Sequence, residues 1–335
     1  MSDFTYSVAI RTVGKAGDKY IQELKSLHAQ TIRPTHIYVF LAHGFERPKE
    51  QVGMEEYIDT PKGLVHQRAA ANMIQEDYLL IIDDDVFFPP QAVEKMYSFL
   101  QEQHADGIAP DTFPTQSLPW MSKAIAFMSN DVRARGNDGW AIKIQPSGAF
   151  TYNNHPPRGA VLHTQSGAGT ALFVSREAWH GIHYEDEQWV DLFPAGTFAE
   201  DQLMFYKFYV NDYKLLMWYD SGVIHLDANT NKASAKSYDK LYYRAMSLYL
   251  TWHRCLYSNL EAREADRKEM CEAYRRRYRK AVFTRICFSL MHGSFRFVKA
   301  YVNGNKDARK FVDQAAYQSL PPYNTRNDLR RAEKM

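Results

Sequence analysis

Cysteine is scarce in this chain, with Cys255, Cys271 and Cys287 the only three among 335 residues. Three late thiols exclude a disulfide framework, predict a reducing compartment and do not by themselves make a zinc cluster. Long apolar runs are also missing: none approaches the roughly 20 residues that a bilayer-crossing helix needs. The opening Met1-Ser2-Asp3-Phe4-Thr5-Tyr6 has no basic run followed by an apolar core, so no secretion signal is expected and the expected location is the cytoplasm. An excess of one charge is absent as well, since 41 Lys and Arg stand against 39 Asp and Glu for a formal net charge of +2. Without a global field, nucleic acid is not an expected partner.

Apolar material is plentiful at 45% of residues, and a chain of 335 fits one large domain plus an elaboration. The rest is organised around Tyr78-Leu79-Leu80-Ile81-Ile82-Asp83-Asp84-Asp85-Val86. Its large and β-branched residues predict a buried strand, and three carboxylates stand at its carboxyl end, where open α/β sheets bind ligands. Adjacent carboxylates repel unless a cation or a proton offsets them. A hard divalent ion, Mg²⁺ or Mn²⁺, carrying substrate phosphates explains the triplet economically. An acidic surface turn is the competing explanation, and the position after the most apolar strand disfavours it.

The preceding chain reads as a βαβ unit, which implies a parallel sheet. Residues 6–12 predict a strand, Asp18 a helix cap, and Ile21, Leu24 and Leu27 the helix's inward face. Residues 35–41 predict a second strand and 57–59 a short third, before a helix over 66–75. Further helices are expected over 90–103 and 202–211, with strands near 108–110, 161–164, 171–174, 213–219 and 223–226. Residues 113–157, rich in proline, glycine and aromatics, read as a long excursion over the active face. The small residues of Gln165-Ser166-Gly167-Ala168-Gly169-Thr170 permit close backbone approach to a ligand, or simply a tight turn.

Four segments in this order resemble the inverting, nucleotide-sugar-dependent glycosyltransferases of family 2, which have the GT-A fold, over residues 6–226. They are Ser26-Leu27 with Gln30, Pro34 and Ile37-Tyr38-Val39; Gly63-Leu64-Val65-His66-Gln67-Arg68-Ala69-Ala70-Ala71-Asn72; Asp83-Asp84-Asp85; and Glu200-Asp201. The resemblance implies an α/β fold of GT-A type, a mixed and mostly parallel sheet flanked by helices, with a C-terminal helical extension. Beyond residue 229 the pattern changes from alternating elements to long helical runs, so the expected division is a catalytic domain over 1–230 and a helical, basic-aromatic region over 231–335. The resemblance further implies nucleotide-sugar binding by Arg11, Val13, Lys62, Gly63, Arg68, Asp83 and Asp84. Asp83, Asp85 and His225 are the implied ligands of Mn²⁺ or Mg²⁺. Asp201 is the implied catalytic base, with Glu200 beside it orienting the acceptor.

The chain departs from the family pattern in two places. After the second strand it reads Phe40-Leu41-Ala42-His43-Gly44, without the Asp-Asp-Gly-Ser run that usually holds base and ribose. A UDP-sugar remains the implied donor, but other groups must recognise the base. The Gln-x-x-Arg-Trp motif of processive synthases is also missing, which implies transfer of one sugar to a glycan or lipid-linked acceptor. Two other classes compete: a carbohydrate-binding protein without turnover, and a sugar-phosphate nucleotidyltransferase.

Further expectations concern particular residues and the tail. His225 could instead be a partly buried histidine bonded to backbone. Trp140, Trp179 and Trp189 could form a sugar-stacking face or fill the core. Glu185-Asp186-Glu187 reads as a solvated loop, and Asp191 as lining the acceptor pocket. Finally, residues 273–306 contain no acid, while basic residues alternate with Tyr, Phe, Val, Ile and Leu. That composition suits contact with an anionic membrane surface, or packing on the catalytic domain or a second subunit.

Overall fold

A computed structural model of the chain describes residues 4–112, 139–153, 156–194, 197–226, 238–259 and 264–325. The expected βαβ start is present. Strands β1 (Tyr6–Thr12), β2 (Ile37–Ala42), β3 (Glu55–Thr60) and β4 (Tyr78–Asp83) run parallel in the order β3-β2-β1-β4. Strand β10 (Ala171–Ser175) pairs antiparallel with β4 and with β6 (Gly107–Pro110). Beyond them β11 (Leu215–Trp218) runs parallel to β6, and β9 (Val161–His163) closes the eight-stranded sheet antiparallel to β11. The sheet is therefore mixed and mostly parallel. Two small pairs lie outside it, β5 (Val86–Phe87) with β12 (Ile224–His225), and β7 (Ile142–Ile144) with β8 (Phe150–Tyr152).

Both faces of this sheet are covered, which is why its central strands are apolar without alternation. Along β4 successive side chains still point to opposite faces. Leu80 and Ile82 pack with Tyr20, Leu24 and Leu27 of α1 (Asp18–His28) and with Val93, Met96 and Leu100 of α3 (Ala92–Gln103). Leu79 and Ile81 face the other way, into a core built from α2 (Leu64–Ala69), α4 (Arg176–Gly181) and α5 (Glu200–Val210). The C-terminal helices contribute to that same core through Met246, Leu250 and Trp252 of α6 (Tyr238–Trp252) and Ala308 and Val312 of α8 (Arg296–Val312). Between them runs α7 (Glu264–His292), and α9 (Ala315–Gln318) follows. The expected boundary near residue 230, and residues 113–138 of the expected excursion, lie outside the described residues.

Several sequence expectations need correction. Gly17, at φ 57, is the N-cap of α1, and Asp18 is already the first helical residue. The inward face of that helix is Tyr20, Glu23, Leu24 and Leu27, with Ile21 only half-buried. Trp179 is completely buried, and Trp189 sits among Phe193, Phe198, Phe311 and Tyr317, so both fill the core and neither offers a ring to a sugar. Asp191 caps α2 from a distance: its carboxylate accepts from the backbone N–H of Val65 at 3.0 Å and of His66 at 2.9 Å. A helix N-terminus leaves such N–H groups unpaired, and a carboxylate satisfies them and the local dipole together.

Glu185-Asp186-Glu187 is not a solvated loop. It lies in a 3₁₀ run (Tyr184–Leu192), and Glu187 has no solvent exposure. Its carboxylate accepts from Lys207 Nζ at 3.0 Å, from Arg254 Nη2 at 2.8 Å and Nε at 3.0 Å, and from Trp189 Nε1 at 2.8 Å. Burial opposes the charge, but Lys207 and Arg254 prevail and hold this carboxyl at about 2 against an ordinary 4.5. Three-residue acidic runs usually face water; here two cations from distant segments make burial tolerable.

Removing one member of a buried ion pair leaves the others uncompensated, so Glu187→Ala should cost about 3–5 kcal/mol in urea denaturation. The stabilisation should be complete above pH 4.5 and be lost as pH falls toward 2, because the folded value lies below the unfolded one. Near-wild-type stability of Glu187→Ala at neutral pH would contradict this account.

Candidate active site

Strand register brings the first site residues together. β1 and β4 are adjacent and parallel, with Arg11 opposite Asp83 at the carboxyl ends. The Arg11 guanidinium holds both oxygens of Asp83, through Nε and, at 3.1 Å, Nη2. Burial opposes the charge on Asp83, and Arg11 and then Arg68 overcome it, leaving that carboxyl below its ordinary value. The next carboxylate, Asp84, accepts from the hydroxyl of Thr12 at the end of β1. Burial and then Asp85 and Asp83 push it up to about 6, against the lowering effect of the Thr12 hydrogen bond. Asp84 therefore binds a neighbouring hydroxyl from its own scaffold.

Asp85 has a different partner. The chain turns after β4 into β5, which pairs with β12 and sets His225 opposite Val86. Nε2 of His225 comes to 3.2 Å from Oδ1 of Asp85, and the Leu226 N–H donates to the Asp85 carbonyl at 2.8 Å. Beneath this turn the buried Glu23 accepts from the Val86 N–H at 2.6 Å. Nothing in the amphipathic pattern of α1 marks Glu23 as a support for the acidic turn.

The second acidic motif is joined to the first by Arg68. This side chain is 1% exposed. Its Nη1 donates to Asp201 Oδ1 at 2.9 Å, and its Nη2 donates to the Gly169 carbonyl at 2.7 Å. The same guanidinium lies 3.7 Å from Asp83 and 3.7 Å from Glu200, while Arg11 Nη1 lies 3.7 Å from Glu200. Glu200 is 8% exposed; burial and then Asp201 raise its carboxyl to about 7, against the lowering effect of Arg68 and Arg11. Asp201 is the open member, with its side chain 38% exposed.

Two glycines admit these contacts. A Cβ at Gly169 would collide with the Asp201 carboxylate and the Arg68 guanidinium, and one at Gly63 would collide with Asp191. The small residues of the 165–170 loop thus do permit a close approach, and what approaches is Arg68 with Asp201. The backbone before α5 is held by the C-terminal helices, since the Ala199 N–H donates to Ser247 Oγ of α6 at 2.8 Å.

The remaining expected positions lie around the rim. Val13 is half-buried just beyond β1, and Lys62 is exposed before α2. Lys62 Nζ stands 5.0 Å from the centre of the Phe45 ring, and Lys15 Nζ stands 5.1 Å from it. Phe45, which follows β2 just beyond the missing acidic run, was not singled out from sequence; only its neighbourhood signalled that base recognition needs other groups. Trp140 lies elsewhere, against His163 and Tyr209 near the sheet's β9 edge. Among the described residues no three His, Cys, Asp or Glu side chains converge as a metal cage. Asp85 and His225 do supply one oxygen and one nitrogen donor side by side, a set that fits Mn²⁺ or Mg²⁺ if phosphate and water complete the shell.

Residues 57–153 match the family model described as Glycosyl transferase family 2. Over this segment the chain is similar to the family 2 glycosyltransferases. The matched segment contains the acidic triplet and Arg68, and ends before Glu200-Asp201. No curated protein sequence matches this chain. Among solved structures it is similar to the mannosyltransferase PcManGT from Pyrobaculum calidifontis in complex with GDP-Man and Mn²⁺, at 13% identity and a TM-score of 0.47, over 95% of this chain and 83% of that one. It is also similar to GalNAc-T7 with UDP, GalNAc and Mn²⁺, at 13% identity and a TM-score of 0.49, over 81% of this chain and 54% of that one.

Gly169→Ala should separate Asp201 from Arg68 while leaving the sheet intact. Transfer should fall at least about tenfold, since small displacements of positioned groups carry that scale of penalty. Unchanged kcat in a folded Gly169→Ala variant would show that the Arg68 contact does not position Asp201.

Proposed function

We propose that this protein is a glycosyltransferase that transfers one sugar, with inversion, from a nucleotide diphosphate sugar to an acceptor hydroxyl on a glycan or lipid-linked saccharide. The observation that carries this reading is the reach of Arg68, whose one guanidinium contacts both Asp83 and Asp201. A donor held at the acidic turn therefore has its reacting carbon within range of a carboxylate from α5.

Asp85 and His225 would hold the divalent ion, and Asp83 would set the two arginines beside it. The ion's contribution is to neutralise the charge that develops on the departing diphosphate. Arg11 Nη1 and Arg68 Nε are buried without a hydrogen-bond acceptor, and a diphosphate oxygen would satisfy such donors. Asp201, near the start of α5 and paired with Arg68, would accept the acceptor's hydroxyl proton as oxygen attacks the anomeric carbon. Glu200, held near neutrality, would hydrogen-bond the acceptor or receive the proton next.

Base recognition falls to Phe45. Its half-buried ring, flanked by the ammonium groups of Lys15 and Lys62, would stack on the base and leave two donors for its carbonyls or for phosphate. A UDP-sugar meets these demands. An inactive binding protein has no use for a proton acceptor placed next to a diphosphate site, and the loop after β1 offers only Lys15 toward nucleotidyl transfer.

A panel of nucleotide sugars with Mn²⁺, followed by mass analysis, tests the reading directly. Asp201→Asn should lower kcat about 10²–10⁴-fold with donor binding nearly intact, and nuclear magnetic resonance of the product should show the opposite anomeric configuration. Retention, full turnover of Asp201→Asn, or full turnover in excess chelator would each defeat it. Phe45→Ala should weaken donor binding by about 1–3 kcal/mol, the scale of base–aromatic stacking, with kcat for bound donor little changed. An unaltered donor Kd would move base recognition elsewhere.

A further inference from the structure

The long C-terminal helices divide residues 273–306 into a buried half and an uncovered tip. Tyr274, Arg277, Ala281 and Tyr301 are buried, Arg277 donates to the Ser147 carbonyl, and Arg285 lies 3.8 Å over the Tyr301 ring. That half packs on the body of the protein, as one of the two sequence expectations had it. The tip is different. Phe283 is 66% exposed, Leu290 67%, Met291 73% and, past the Gly293 turn, Phe295 53%. Large side chains this open and this close together mark an interaction surface.

Helical spacing places Arg276, Arg279 and Lys280 on the same stripe of α7 as Phe283, Leu290 and Met291. The stripe changes from basic to apolar toward the turn, and no acid occurs anywhere in residues 273–306. We propose that this tip docks on an anionic lipid surface. Phe283, Leu290, Met291 and Phe295 enter the boundary between headgroups and acyl chains, and Arg276, Arg279 and Lys280 meet lipid phosphates. Among the described residues no helix is long and apolar enough to cross a membrane, so the tip would lie on the bilayer. A second copy of the chain fits this surface less well, because residues 273–306 offer no acid to meet Arg276, Arg279 and Lys280, whereas lipid phosphates do. The inference is independent of the catalytic proposal.

The test uses the full chain and sedimentation with vesicles of phosphatidylcholine, alone or mixed with phosphatidylglycerol. Wild type should sediment with the anionic vesicles at low salt, much less with neutral ones, and less as salt rises. F283S/L290S/M291S should weaken partitioning at least about tenfold, and R276Q/R279Q/K280Q should remove the preference for phosphatidylglycerol. The single variant M291S, at the most exposed position, should weaken it in the same direction and guards against a misfolded triple variant. Thermal unfolding followed by circular dichroism checks that each variant is folded. Folded wild type that ignores anionic vesicles at low salt, or folded variants that bind like wild type, would overturn the proposal. So would light scattering that shows a dimer which F283S/L290S/M291S converts to monomer.

Discussion

The buried guanidinium of Arg68 is the contact on which the site depends. Its charge is affordable in the interior because Asp201, Asp83 and Glu200 surround it, and burial alone would oppose it. Those carboxylates in turn need the two arginines, since acids this close together repel unless cations offset them. Glu200, raised to about 7 beside Asp201, shows how close the balance lies. A loop with glycine at position 169 is required to let this cluster close.

A second charged cluster ties the C-terminal helices to the rest of the scaffold. Glu187 comes from the 3₁₀ run, Lys207 from α5 and Arg254 from the turn following α6, so three segments meet at one carboxylate. Tyr323, near the end of the described chain, donates to the Leu203 carbonyl at 2.6 Å and packs over the same helix. Together with Ser247 at the start of α5, these contacts make the C-terminal helices part of what sets Asp201 in place. The extension is thus connected to the candidate site through the backbone of one helix.

Much of the fold was legible. Apolar runs at 6–12, 37–42 and 78–83 became strands because sheets covered on both faces demand such runs. The stretches between them became helices, although the cap expected at Asp18 is not one. The acidic triplet and the Glu200-Asp201 pair were legible too, and the structure brings them together through Arg68. Errors arose where burial was decided by distant partners. Glu187 and Glu23 are acidic residues inside the protein, and Trp179 and Trp189 are aromatic residues with no access to a sugar.

The sequence by itself determined the alternation of elements, the position of the acids at strand and helix ends, and the acid-free composition of the tail. Periodicity and local turn chemistry act over a few residues and can be read in one dimension. Only the tertiary structure decided that Asp85 faces His225, that Phe45 lies between two lysines, and that residues 273–306 are half packed and half open. Each of these depends on which surfaces meet after long loops close, and on whether a buried charge finds its counter-charge there. Neither is encoded in the spacing of neighbouring residues.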